Sequence, residues 1–283
     1  MTEAWRTYYT EQELAEIQKI ELESLDVLSK VCKELKLDFF LYGGSLLGAV
    51  KYGGFVPWDD DLDVALMRCD YEKLLKEGPA LLPDGYEFQE PRLNNKTPYP
   101  YIKLRKTDTT MVEYMYRNIS MNHGVYFDIY PIDNLPDDDV ELHKLQKKLL
   151  KLTRILQRRQ TASLFYPTNG VRGVIKRILV FAKHMLYKTI PHRYLIKKMN
   201  GIMTKYNGID TMRQGNLFFP GPVNYFDGIY PPVEVIFEGR TMLIPSGYKV
   251  NLKNRYGDIT QDPPEEKRVG HRPYILNLNL KEQ

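Results

Sequence analysis

The chain has 283 residues, of which 43% are hydrophobic and 27% charged, which is ordinary for a globular protein that buries a sizeable core in one large domain or two small ones. The formal net charge is only +4, and the two cysteines are too few for a disulfide framework or a four-thiolate metal site, which fits a reducing compartment. The N-terminus lacks the apolar core of a signal peptide and no apolar run is long enough to cross a bilayer, so we expect a cytoplasmic protein unless something anchors it to a surface.

The first half of the chain predicts helices mixed with strands. A capping-box pattern at Thr10 and Glu13 opens a helix that apolar spacing extends to Lys36. Ser45 is expected to cap a brief helix, and Asp70 a second one at 71–76. Because several of the predicted strands follow one another without helices between them, we expect an α/β (α+β mixed) fold, a mixed sheet flanked by helices. Alternating apolar residues and β-branched or aromatic composition predict strands at 38–42, 61–67, 86–89, 101–105, 109–114 and 125–130.

The second half opens with a helical and basic segment at about 137–209. A run of aspartates starts a long helix with a leucine stripe, and two more helices are predicted at 171–188 and 192–206. From 142 to 209 there are 16 Lys and Arg residues and no Asp or Glu, so the remaining chain holds 24 basic and all 36 acidic residues, a net charge of −12. A hairpin around Glu238 and a last helix capped by Ser246 follow. We interpret 1–283 as a single domain with a basic helical insertion.

The strongest chemical feature is the acidic stretch Trp58-Asp59-Asp60-Asp61-Leu62-Asp63. Alternate residues of a strand share a face, so Asp61 and Asp63 are expected to point the same way, with Asp59 in phase just before them. Converging carboxylates repel one another unless a cation lies between them, and their hard oxygens favour Mg²⁺ or Mn²⁺ over zinc. The alternative is a solvated acidic turn, but an unpaired Asp63 within an apolar strand pattern would be costly.

Two further features predict the rest of a transfer site. The backbone N–H groups of Gly43-Gly44-Ser45 and the serine hydroxyl, at a helix N-terminus, suit a phosphate. Asp128 lies between apolar residues of a predicted core strand, and we expect it to be the third carboxylate of the metal site rather than a structural residue bonded to backbone N–H groups. A phosphate cradle beside a carboxylate metal site predicts phosphoryl or nucleotidyl transfer.

Three cations are candidates for ligands of nucleotide phosphates. Lys103 and Arg105 alternate along one predicted strand and therefore leave the same face, while Lys51 lies in the loop before the acidic stretch. Each of the three is as often an ordinary surface charge as a phosphate ligand. Both interpretations stay open at this point.

These motifs closely resemble the LicD family, to which the fukutin-related proteins are also similar. The resemblance lies in Gly-Gly-Ser-Leu-Leu-Gly-Ala-Val from Gly43, in Gly-Phe-Val-Pro-Trp-Asp-Asp-Asp-Leu-Asp-Val from Gly54, and in the stretch from His123 to Asp133. It spans residues near 14 to 136 and 230 to 271 and leaves out the basic segment. The resemblance implies a nucleotidyltransferase fold. It also implies transfer of phosphocholine from CDP-choline, or of the phospho-alcohol of another CDP-alcohol, to a cell-surface polysaccharide such as teichoic acid, with release of CMP.

The resemblance also assigns residue roles by position. It implies that Asp59, Asp61, Asp63 and Asp128 are metal and catalytic residues, for which the hard oxygen ligands favour Mg²⁺ or Mn²⁺ as the cofactor. On the acceptor side it implies Arg255, Tyr256 and Asp258, which stand in the motif Arg-Tyr-Gly-Asp, and His271 as a base or phosphate ligand. A helix stop explains Gly257 in that motif without any functional role.

The basic segment fits an anionic membrane surface, because basic residues beside a membrane bind anionic lipid and apolar residues at 174–186 could insert into it. Together with the resemblance, this predicts a protein that is peripheral on the inner face of the membrane and acts on a lipid-linked glycan precursor. One alternative is a helical subdomain whose lysines are merely solvated. Another, from a different functional class, is a nucleic-acid-binding module. The latter leaves the aspartates unexplained, so nucleic acid is not an expected partner.

Overall fold

A mixed sheet forms the core of the fold, as the sequence predicts. The computed structural model describes residues 9–164, 168–218, 224–268, 270 and 273–278. Within them the main sheet has nine strands: seven follow the order β3-β4-β6-β2-β1-β10-β9, and β7 pairs with the end of β6 and with β8. The pairs β2–β6 and β1–β10 are parallel and the other pairs are antiparallel. The remaining two strands described, β5 and β11, pair antiparallel with each other in a separate small sheet. The strands are β1 (Phe40–Leu41), β2 (Asp63–Met67), β3 (Tyr86–Gln89), β4 (Ile102–Lys106), β5 (Thr110–Val112), β6 (Val125–Leu135), β7 (Arg213–Asn216), β8 (Asn224–Phe226), β9 (Val233–Phe237), β10 (Arg240–Ile244) and β11 (Ile275–Asn277).

The helices flank this sheet, and the first of them carries the predicted capping box. Glu13 N–H donates to the Thr10 hydroxyl and the Glu13 side chain accepts from Thr10 N–H, so the first turn is satisfied locally. The apolar stripe of this helix then packs on the core cluster through residues such as Leu25 and Leu28. The helices are α1 (Glu11–Leu35), α2 (Gly43–Tyr52), α3 (Arg68–Glu77), α4 (Asp139–Gln160), α5 (Gly170–Lys188), α6 (His192–Met203) and α7 (Tyr248–Tyr256).

Several predicted boundaries were wrong. Helix α2 begins at Gly43, and Ser45 lies inside it rather than capping it. Helix α3 begins at Arg68, so Asp70 does not cap it either. Strand β2 begins at Asp63, which leaves Asp61 in the loop before the strand rather than on its face. Strand β6 continues beyond its predicted end to Leu135.

The basic segment contains three helices that pack very differently. Leucines of α4 are buried in the main core, and α6 buries Leu195, Ile196 and Met199. Helix α5 contacts α4, yet Gly173 is its one buried residue among those described. Within the described part of the chain, no helix combines the length and apolar character needed to cross a membrane.

Candidate active site

Asp63 and Asp128 lie directly beside each other at the centre of the sheet. Strands β2 and β6 run parallel, and their register pairs Asp63 with Asp128. The backbone N–H of Asp128 donates to the carbonyl of Leu62 at 3.1 Å, which fixes this register at its start. Two carboxylates from distant parts of the sequence therefore lie on neighbouring strands. The catalytic and metal roles assigned to both remain predictions.

The N-terminus of α2 faces the aspartates. A Cβ on Gly43, where φ is +53°, would lie 2.2 Å from Oδ2 of Asp63, and one on Gly44 would lie 2.6 Å from Oδ2 of Asp59. Only glycine permits this close approach of carboxylates to the helix end, where the helix dipole favours negative charge. Ser45 is buried, and its hydroxyl accepts from the N–H of Asp63 at 2.8 Å. The phosphate-binding role predicted for Gly43, Gly44 and Ser45 thus stays a prediction.

The carboxylates of the acidic stretch raise one another's pKa. Burial, and then the charge of Asp61, raises the pKa of Asp59 to about 9, and the two side chains are hydrogen-bonded to each other. Burial, and then the charges of Asp61 and Asp128, raises the pKa of Asp63 well above its ordinary value. A hydrogen bond between two carboxyl groups needs a proton on one of them, and this proton reduces the repulsion between Asp59 and Asp61.

The chemistry of these residues fits a hard divalent cation. The donors are carboxylate oxygens, they are partly or fully buried, and burial together with their mutual repulsion raises their pKa values, which a bound cation would oppose. Within the described ranges, no three His, Cys, Asp or Glu side chains are placed to hold one metal ion. Binding would therefore require the side chains to rotate, with the ion replacing the proton that Asp59 and Asp61 share.

Asp128 has two partners on its own sheet. Lys103 donates to one of its oxygens at 2.6 Å and the hydroxyl of Tyr130 donates to the other at 2.8 Å. The Lys103 ammonium is only 4% exposed and lies 3.4 Å from the ring centroid of Tyr126 and 5.0 Å from that of Tyr99. Aromatic faces stabilise a buried cation in this way. Lys103 is therefore a fixed positive charge at the carboxylate site, and its contact with a phosphate stays a prediction.

The other two predicted phosphate ligands have partners elsewhere. Arg105 leaves the same face as Lys103, as predicted, but its guanidinium is buried and donates to Gln89 and to the carbonyl of Gly124, both at 2.6 Å. Lys51 donates to Asp262 at 2.5 Å, which ties the end of α2 to the C-terminal part of the chain. Neither cation is directed at the aspartates, because long-range partners hold both.

The C-terminal motif divides into residues that reach the site and one that does not. Arg255 lies close enough to Asp63 to oppose the rise in the pKa of that carboxyl. Burial first, and then the charge of Asp63, raises the pKa of Tyr256 to about 12. Both residues come from the end of α7. Asp258 is exposed and accepts from Thr260 N–H and hydroxyl, away from the cluster. His271 lies outside the described residues.

Sequence reasoning missed Glu21, a buried acid on α1. Its side chain is 1% exposed, and among the residues that the structure describes neither carboxyl oxygen has a hydrogen-bond partner. Burial, followed by the charges of Asp61 and Asp60, raises its pKa well above the ordinary value. One turn earlier, Gln18 donates to the carbonyl of Asp59 at 2.9 Å, which docks α1 on the acidic loop. The available signal was an acid inside the apolar stripe of α1, four residues after Ile17.

A separate cleft of about 1300 Å³ lies between β3 and α6 and contains none of the predicted site residues. Its polar lining includes Arg92, His192, Arg193 and Lys197. Arg92 is paired with Glu90 at 2.8 Å. The cleft therefore lies apart from the carboxylate site, which is built on β2, β6 and the N-terminus of α2.

Comparison with known proteins points to one family. Residues 36–151 match the family described as "LicD/FKTN/FKRP, nucleotidyltransferase domain", a range that includes the four aspartates. The chain is 26% identical over 275 residues to lipopolysaccharide cholinephosphotransferase LicD of Haemophilus influenzae, covering 93% of this chain and 98% of that protein. It is also 26% identical over 113 residues to the uncharacterized protein RP689 of Rickettsia prowazekii, covering 38% of this chain and 42% of that one. These matches confirm the resemblance carried by the motifs: residues 36–151 are similar to the LicD nucleotidyltransferase domain, and the chain as a whole is similar to a cholinephosphotransferase, which supports a transferase.

Proposed function

We propose that this protein transfers phosphocholine from CDP-choline to a hydroxyl of a cell-surface glycan precursor and releases CMP. The observation that carries the proposal is the meeting of Asp63 and Asp128 on adjacent strands, beside Asp59 and Asp61 and the N-terminus of α2. The Haemophilus relative, a lipopolysaccharide cholinephosphotransferase by name, aligns over nearly the whole chain and supports phosphocholine as the group transferred.

Divalent metal is the cofactor that the site chemistry favours. Asp59, Asp61 and Asp63 would hold Mg²⁺ or Mn²⁺, with Asp128 closing the site from the neighbouring strand. The ion, when bound, would neutralise the phosphates of the donor and of the departing CMP. The carboxylates would hold the ion away from bulk water at the start of β2, because Asp63 is buried and Asp59 is half-buried.

Other residues of the chain would position the donor. The Lys103 ammonium uses one of its three N–H donors to bond Asp128, so a further N–H could donate to a phosphate oxygen. Arg255 adds a second positive charge beside Asp63, and in this proposal Tyr256, which accepts from the Arg255 guanidinium at 3.0 Å, contacts the acceptor. Two fixed cations beside the carboxylates would hold the donor phosphates in line with the attacking hydroxyl, which is the main task in phosphoryl transfer.

The acceptor in this proposal is lipid-linked, and the protein is peripheral on the inner face of the membrane. The basic segment supports this placement, since 16 cations and no acids lie between 142 and 209. An acceptor held at a membrane would thereby be concentrated next to the enzyme.

A donor panel tests the proposal. The purified chain is incubated with Mg²⁺ and with CDP-choline, CDP-ethanolamine, CDP-glycerol or CDP-ribitol in the presence of bacterial membrane glycolipid, and CMP is quantified. We expect CMP release to be fastest with CDP-choline and to depend on the acceptor. Fastest release with another CDP-alcohol would reassign the donor, and no release from any CDP-alcohol would overturn the proposed reaction.

A further inference from the structure

Helix α5 packs against the rest of the protein through one narrow face. Gly173 is buried and Val180, His184 and Tyr187 are partly buried, whereas all its other residues are exposed. These four positions follow one another at steps of 7, 4 and 3, so they share one side of the helix. On that side His184 Nδ1 lies 2.8 Å from the carbonyl oxygen of Arg158, on α4. The helix is therefore docked on α4 through a minor face that is not its apolar one.

The apolar face of α5 points away from the protein. At about 100° per residue, the large apolar side chains form a continuous arc of roughly 160°, bounded by Phe181 and Leu179 and centred opposite the docked face. A helix of a globular protein normally buries such a stripe, and an exposed apolar patch of this kind marks a contact surface. The eight side chains are between 48% and 76% exposed: Val171, Val174, Ile175, Ile178, Leu179, Phe181, Met185 and Leu186.

Cations border this arc on both sides. Five basic residues and no acidic residue occur in α5, and all five are exposed. Arg172, Lys176 and Lys183 lie along one border of the apolar arc, and Arg177 and Lys188 lie along the other. Their long side chains can keep the charged group level with lipid phosphates while the apolar arc inserts below them.

We propose that α5 docks on an anionic lipid bilayer, lying in the plane of the surface with its eight apolar side chains among the acyl chains. At a rise of about 1.5 Å per residue, a helix of 19 residues would lie along about 28 Å of the surface. A second copy of the same helix is a poor partner, because it would bring ten cations together without an acid. Nucleic acid would match the cations but would face the apolar arc with phosphate and water. The proposal concerns where the protein sits and rests on no step of the transfer reaction.

Vesicle flotation with the full chain tests the insertion of the apolar arc. Wild type should float with phosphatidylcholine vesicles that contain one quarter phosphatidylglycerol, and only poorly with phosphatidylcholine alone. Ile178→Asp/Phe181→Asp should weaken binding to the anionic vesicles at least about tenfold, because two charges replace inserted side chains. The matched control is Val140→Asp/Met212→Asp, which changes two apolar residues that are 77% and 74% exposed outside α5 and should alter binding less than about threefold.

Charge variants test the flanking cations in the same assay. Lys176→Glu/Lys183→Glu on α5 should weaken anionic binding more than Lys147→Glu/Lys151→Glu, which makes the same charge change on exposed positions of α4. Binding should also fall as salt rises. A Phe181→Trp variant should show blue-shifted fluorescence on vesicles, quenched by brominated lipid.

Three outcomes would overturn the proposal. The first is no binding of the wild type to anionic vesicles at low salt. The second is full binding by Ile178→Asp/Phe181→Asp, which would mean that the arc does not insert. The third is tighter binding to RNA or DNA than to vesicles. With detergent-solubilised glycolipid as the acceptor and no vesicles present, release of CMP from CDP-choline should be equal in all these variants. A chain that binds vesicles without releasing CMP would therefore refute the proposed reaction and leave the docking surface intact.

Discussion

Replacing Asp128 by asparagine separates the two things that this carboxylate does. Its oxygens contact Lys103 at 2.6 Å and Tyr130 at 2.8 Å, and the lysine and aspartate side chains are only 4% and 14% exposed. Asp128→Asn keeps the shape and removes the charge. The loss of a charge-assisted hydrogen bond costs about 1.5–3 kcal/mol, and the full penalty for breaking a buried pair reaches about 3–5 kcal/mol. The aromatic rings around the Lys103 ammonium offset part of that cost.

We therefore expect Asp128→Asn to lower the free energy of unfolding by about 2 kcal/mol while the protein stays folded. Urea unfolding of Asp128→Asn, Lys103→Met and the double variant measures the coupling, which should be at least about 1 kcal/mol because the double variant leaves no charge buried alone. Transfer by Asp128→Asn should fall at least about a hundredfold. Near-normal CMP release by this variant would mean that Asp128 only anchors Lys103, and additive stability losses would contradict the ion pair itself.

Three other measurements probe the acidic cluster. Because the folded state raises the pKa of Asp59 to about 9, metal-free protein should lose stability as pH rises from about 4 through 9. Mg²⁺ should stabilise the protein more at pH 8 than at pH 5. A free energy of unfolding in urea that does not change with pH would contradict this. Gly43→Ala should reduce transfer strongly, because the new Cβ would lie 2.2 Å from a carboxylate oxygen of Asp63. The control Gly53→Ala has a similar positive φ and no atom within 4 Å of the new Cβ, so it should lower only the stability of the protein. Equal CMP release by the two variants would argue against close packing at the N-terminus of α2. Glu21→Gln should raise the melting temperature of metal-free protein more at pH 8 than at pH 5, because it removes a buried carboxyl whose pKa is raised. The control Glu23→Gln, at an exposed position, should leave the melting temperature unchanged at both pH values. A lower melting temperature for Glu21→Gln at pH 8 would contradict this account.

Local sequence signals predicted much of this fold correctly. The capping box at Thr10 and the apolar period of α1 are satisfied within a few turns, so distant residues do not override them. The alternation of Lys103 and Arg105 correctly placed both on one strand face, since the strand period is set by the backbone alone. Apolar residues around Asp128 placed it correctly in a core strand of the sheet.

What the sequence did not reveal depends on contacts between distant segments. Ser45 fits the preferences of a helix cap, but its hydroxyl instead bonds the backbone of Asp63. Arg105 and Lys51 have partners that no local pattern indicates, Gln89 and Asp262. Strand β7 has the sequence Arg-Gln-Gly-Asn, which lacks any strand signal and forms because β6 continues past its predicted end and pairs with it.

The central claim is that the aspartates hold a divalent cation that transfer requires. Its most direct test is CMP release from CDP-choline by one preparation in excess chelator and again after Mg²⁺ is restored, with Asp61→Asn measured alongside. We expect no release in chelator and recovery with Mg²⁺ or Mn²⁺, and with metal present we expect a rate at least about a hundredfold lower for the variant than for the wild type. Full activity of the wild type in excess chelator would contradict the claim.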